Sequence, residues 1–104
     1  MENRWRGEVV LVVNGQHHVM KLTLGALAEL EDELVEESLM TLVQRFEGGG
    51  FKTRDVLALL SAGMRGGGVQ MDADTLAQAD IDGGPMRAAQ AAAELLARAF
   101  VVAP

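Results

Sequence analysis

Asn14-Gly15 stands between two strand-like runs, Val9-Val-Leu-Val-Val13 and His17-His-Val-Met-Lys-Leu22. Asn and Gly both tolerate the positive φ angles of a two-residue type I′ turn, so this segment predicts a β-hairpin over residues 7–24. With Asn14 and Gly15 as the loop, Val13 faces Gln16, Leu11 faces His18, Val9 faces Met20 and Glu8 faces Lys21. One face then carries Val9, Leu11, Val13, Met20 and Leu22; the other carries Val10, Val12 and Val19 beside His17. A lone hairpin is marginal in water, so the second face needs cover. A helix of the same chain or a second copy would supply it, and Val10, Val12 and Val19 are the candidate self-association residues.

Past Leu22 the apolar period changes from that of a strand to that of a helix. Leu24, Leu27, Leu30 and Leu34 recur at three- or four-residue steps, and Thr23 is placed to cap a helix over residues 24–36. Gly25 falls in its first turn, where lack of a side chain would let the hairpin pack closely. Ser38 caps a second helix with Leu39, Leu42, Val43 and Phe46 on one side, ended by Gly48-Gly-Gly50. Thr53 caps a third with Val56, Leu57, Leu60 and Met64 inward, and Gly66-Gly-Gly68 ends it. Asp72 opens a short helix to residue 79, and Pro85 suits the first turn of a last one ending near Phe100. In that helix Arg87, Gln90, Glu94 and Arg98 form a polar stripe, with Met86, Ala89, Ala93, Leu96 and Phe100 opposite. The expected fold class is α+β: an N-terminal hairpin and then four to five short helices over residues 24–100, in a single domain with residues 1–6 flexible.

At 104 residues, 49% of them apolar, the chain has material for one modest core. Its 15 acidic against 9 basic residues give a net charge of -6, which argues against a surface that tracks phosphates, so nucleic acid is not an expected partner. The absence of cysteine removes disulfides, thiolate metal sites and cysteine nucleophiles. The N-terminus MENRWRGEVV has no apolar core for a signal peptide, and no run reaches about 18 apolar residues, so neither export nor membrane insertion is expected and the cytoplasm is the default.

The candidates for chemistry are weak. Glu29, Asp32, Glu33 and Glu36 share a helix face, where carboxylates three or four apart could hold Mg²⁺ or Ca²⁺, form a docking surface for a basic partner, or simply face solvent. A solvated face is the first expectation and a docking surface the second, because solvated carboxylates at that spacing repel only weakly and outer helix faces tolerate them. His17 and His18 leave opposite sides of a strand and cannot chelate one ion. Asp72, Asp74, Asp80 and Asp82 resemble a calcium loop, but Ala77 stands where the turn glycine belongs and Gly83 where a bidentate Glu is required. The glycine triplets lack P-loop spacing, and Ser38 and Ser61 have no histidine in a local motif. No catalytic residue, metal or cofactor is assigned, and the chain is read as a non-enzyme.

The order of RGEV, NG, LTLGALAELE, a helix ending in RF, a Gly-rich loop, RDV, AGMRGGG and a last helix ending in AAELLARAF resembles the small tail protein of gene transfer agents and related phages of α-proteobacteria, over residues 6–100. Leu22 to Glu31, Arg54-Asp55 and Gly63 to Gly66 are its most specific segments. That family is grouped with phage tail assembly chaperones and also labelled a tail tube protein. The resemblance implies a non-enzymatic part in building a phage-like tail, with the tape-measure protein or other tail proteins as partners. Chaperoning the tape-measure protein is the first expectation, because a tube ring closes through an extended sheet and this chain offers two strands. A structural tube or tail-tip component retained in the particle is the alternative. The six methionines suit a surface that adapts to varied partners.

Overall fold

The computed structural model describes residues 3, 6–34 and 38–100. Within them an antiparallel hairpin, β1 (Val9–Val13) and β2 (Gln16–Met20), is followed by α1 (Leu24–Glu33), α2 (Leu39–Gly48), α3 (Thr53–Gly66), α4 (Ala73–Gln78) and α5 (Gly84–Phe100). This is the α+β layout expected from the sequence. The register is also the expected one, with Val9 opposite Met20, Leu11 opposite His18 and Val13 opposite Gln16. Asn14 and Gly15 take φ of 51° and 80°, as a type I′ turn requires.

Val9, Leu11, Val13 and Met20 are buried together with Leu30 of α1, Leu59, Leu60 and Met64 of α3 and Leu95 of α5. The central helix is α3, which touches α1, α4, α5 and β2. Its C-terminal turn meets β2 backbone to backbone. The Lys21 amide donates to the Gly63 carbonyl at 3.0 Å. A Cβ on Gly66 would lie 1.7 Å from the Lys21 oxygen, and one on Gly67 would lie 2.1 Å from that of Val19. Gly63 is wedged between Met20 and Leu95. AGMRGGG therefore does more than end a helix: its bare backbone lets α3 lie against the hairpin. Gly25 does not serve that purpose, since a Cβ there would meet only the Thr23 hydroxyl at 3.9 Å. The close approach at the hairpin–helix junction comes from Gly66, far along the chain.

The helix starts largely follow the sequence. Thr23 Oγ1 accepts from the Ala26 amide, Ser38 Oγ from Thr41 and Asp72 Oδ1 from Thr75, each satisfying an otherwise free first-turn N–H. The last of these bonds holds the Asp72 carboxyl below its ordinary range. α3 differs: its cap position is Lys52, not Thr53, and the Asp55 carboxylate accepts from the Lys52 amide at 2.8 Å. α1 stops at Glu33 with Leu34 as its C-cap, short of the expected residue 36. Leu24 is 86% exposed, because a residue at the first position of α1 lies beyond the reach of the core that Ala26 and Leu30 enter.

The β1 edge of the hairpin is occupied. In an antiparallel pair alternate residues turn their backbone groups outward, and on β1 these belong to Val10 and Val12, with Glu8 just before the strand. Arg98 donates to the Glu8 carbonyl, Arg87 to that of Val10 at 2.8 Å, and the Asp82 amide to that of Val12 at 3.1 Å. Ile81 bridges Val13, while the Asn14 amide donates to Asp80 O and the Asp80 amide to Asn14 Oδ1. The polar stripe of α5 thus grips the strand edge. Arg87 is braced by Glu94, seven residues along the same helix, at 3.2 Å.

Candidate interaction surface

Across the turn Gly48-Gly49-Gly50 the C-terminus of α2 and the N-terminus of α3 are clasped twice. Gly49, at φ 77°, reverses the chain as a left-handed C-cap. Arg45 then reaches Asp55 in a bidentate pair, Nε to Oδ2 at 3.1 Å and Nη2 to Oδ1 at 2.9 Å. Asp55 is only 3% exposed. Burial disfavours its charge, but the Arg45 guanidinium, the Lys52 amide and the nearby Arg54 outweigh that and hold its carboxyl below the ordinary carboxylate range. Beside this pair Phe46 and Phe51 stack with centroids 4.6 Å apart and planes 8° from parallel.

Each ring lines a groove shared with α5, whose sequence offers two apolar faces. One is buried: Ala88, Ala91, Ala92, Leu95 and Leu96. The other is open, with Met86 73% and Phe100 50% exposed, Ala93 and Ala97 exposed and Ala89 half-buried. The apolar side expected opposite the polar stripe, Met86, Ala89, Ala93, Leu96 and Phe100, is therefore mostly the open one, with Leu96 alone of the five buried. Alanines lie on both faces, so apolar spacing did not distinguish them. Two grooves follow this open face. One, of about 480 Å³, is walled by Phe51, Val56 and Leu57, by Leu76 and Ile81, and by Ala89. The other, of about 310 Å³, lies between Val43 and Phe46 of α2 and Ala93, Ala97 and Phe100 of α5. Phe51 lines the first and Phe46 the second, so the stacked pair stands between the two grooves, which together make up the trough along α5.

The surfaces picked out from sequence are less open. On the hairpin, Val19 is 37% exposed while Val10 and Val12 are half-buried. On α1, Glu29 and Glu33 converge on Arg65 of α3. Arg65 Nε lies 2.8 Å from Glu29 Oε2, an ion pair without an aligned hydrogen bond, and Nη2 lies 2.7 Å from Glu33 Oε1. Those two carboxylates tie α1 to α3, which leaves Asp32 as the exposed remainder of the acidic face; Glu36 lies outside the described residues, as do Met1, Glu2, Arg4 and Trp5 of the segment expected to be flexible. Among the described residues no group of three or more His, Asp or Glu could hold a metal ion, and no helix is long and apolar enough to cross a membrane.

A family model described as phage tail tube protein, GTA-gp10, matches residues 6–101. The chain belongs to this gene transfer agent and phage tail family. No curated protein and no solved structure matches it. The segments that carried the resemblance now have physical roles in this member of the GTA-gp10 family. Arg45-Phe46 and Asp55 make the α2–α3 clasp, Gly63 to Gly67 make the α3–hairpin seam, and Leu22 to Leu30 carry the core around the corner. The clasp was missed because its partners are ten residues apart across a loop, where no helical or strand period relates them.

Proposed function

We propose that this protein is a non-enzymatic structural component of a phage-like tail, retained in the particle after assembly in the cytoplasm. The match to the tail tube GTA-gp10 family along residues 6–101 carries this reading, and it favours the structural component over the tape-measure chaperone expected first. The apolar trough along α5 supports a role exercised through protein contacts. Such contacts would not form by adding a strand at β1, whose outward carbonyls already hold Arg98, Arg87 and Asp82. Mass spectrometry of purified particles from the encoding element tests the proposal: the protein is expected as a stoichiometric tail component, and its absence from finished particles would overturn the reading.

The chaperone remains the second reading because the trough has the form of a groove that receives an apolar helix. It requires the opposite result, absence from the particle together with co-purification of the tape-measure protein upon co-expression.

A further inference from the structure

We infer that the open face of α5, with the grooves on either side of the Phe46–Phe51 stack, is where a second copy of this chain docks. The inference deepens the structural-component reading and rests on it for the presence of many copies. The surface is apolar where it matters: Met86, Ala93, Ala97 and Phe100 stand exposed in a line along one helix, and the alanines allow a neighbouring backbone to come close. Met86 and Phe100 are large enough to enter a groove on the facing copy.

Charge identifies the occupant. Two chains of net charge -6 repel unless they meet where opposite charges can pair. Arg45, Arg65, Arg87 and Arg98 are engaged within the molecule. Among the described residues the exposed bases are Arg6, Lys52 and Arg54, and the last two flank Thr53 on one wall of the larger groove. On the opposite wall Asp80 lines the same groove, and the exposed Asp72, Asp74 and Asp82 lie on α4 and its flanking turns. Asp80 thus supplies an acidic border across from the Thr53 wall, which Lys52 and Arg54 flank in sequence. When two copies face each other across the trough, the acidic border of each meets Lys52 and Arg54 of the other. Elsewhere the surface offers less to a second copy: the β1 edge is filled, and Glu29 and Glu33 are bound to Arg65.

Sedimentation velocity of the full chain over a concentration series tests this. Wild type is expected to associate, with a sedimentation coefficient that rises with concentration. Ala93→Glu places a charge in the exposed line and is expected to remain monomeric with an unchanged melting curve. Lys52→Glu is expected to weaken association roughly fivefold, the scale of an exposed charge pair, and Lys52→Glu combined with Asp80→Lys to recover most of that loss. A wild type that stays monomeric at every soluble concentration overturns the inference, as does association that Ala93→Glu leaves unchanged. Ala93-dependent binding of a tape-measure segment by a monomeric protein would assign the trough to that client instead. The particle measurement is independent: a particle-retained but monomeric protein sinks only this inference, whereas an associating protein absent from particles sinks only the structural-component reading.

Discussion

The seam between α3 and the hairpin and the trough along α5 are built from similarly small residues and are opposite in character. At the seam, Gly63, Gly66 and Gly67 have no side chain, and backbone lies against backbone with Lys21 N–H bonded to Gly63 O. Along the trough, Ala89, Ala93 and Ala97 are equally permissive, yet Ala93 and Ala97 stay exposed. Small residues allow close approach without requiring it. Which of two small-residue surfaces closes within the monomer depends on what the topology brings opposite.

The sharpest way to break the contrast is Gly66→Ala. Its Cβ would fall 1.7 Å from a backbone oxygen, so the seam must open, and a loss of about 3 kcal/mol or more is expected in chemical denaturation. A near-neutral result would mean that the seam is not closed.

Asp55→Ala addresses the clasp that holds the trough's aromatic wall. Removing the buried carboxylate leaves Arg45 without its partner and frees the Lys52 amide, at a cost of about 2–3 kcal/mol. The same group sets a pH dependence. Its folded-state pKa lies below the ordinary 3.8, so its contribution is full above that value and is lost as pH falls through the lowered one. Wild type should therefore lose stability on acidification below about pH 4, and Asp55→Asn should flatten that part of the profile. Equal acid slopes in the two proteins would show that folding does not lower the pKa of the clasp carboxylate.

Gly25→Ala is the counterpart of Gly66→Ala at the same corner, with the opposite sign. The position is exposed and helical with room for a methyl group, so a gain of about 0.5 kcal/mol is expected from the smaller entropy loss of alanine. Destabilisation there would restore the packing role that the sequence suggested for Gly25. Ala93→Glu should change monomer stability least, by under about 0.5 kcal/mol, because the site faces solvent. A large loss would mean that this alanine is not on an open face.

Most local rules were legible, the cap of α3 being an exception, since it is Lys52 and not Thr53. Asn14-Gly15 set the turn and thereby every cross-strand pair of the hairpin, and Thr23, Ser38 and Asp72 marked helix starts because a cap acts on amides two or three residues away. The candidate site was legible only in part: Ala93 and Phe100 were read as an apolar face opposite the polar stripe, but the sequence did not say that this face stays open. Arg87 and Arg98 formed the expected polar stripe, but it grips the β1 edge.

By itself, then, the sequence determined the hairpin and its register, the order of the helices and the apolar content of α5, since each depends on groups a few residues apart. Tertiary structure alone decided that Gly66, not Gly25, carries the close approach, that Arg65 claims Glu29 and Glu33, and that one apolar face of α5 stays open. Those outcomes rest on contacts between residues distant in the chain, where side-chain reach and steric fit are set by the packing of whole helices and leave no period in the sequence.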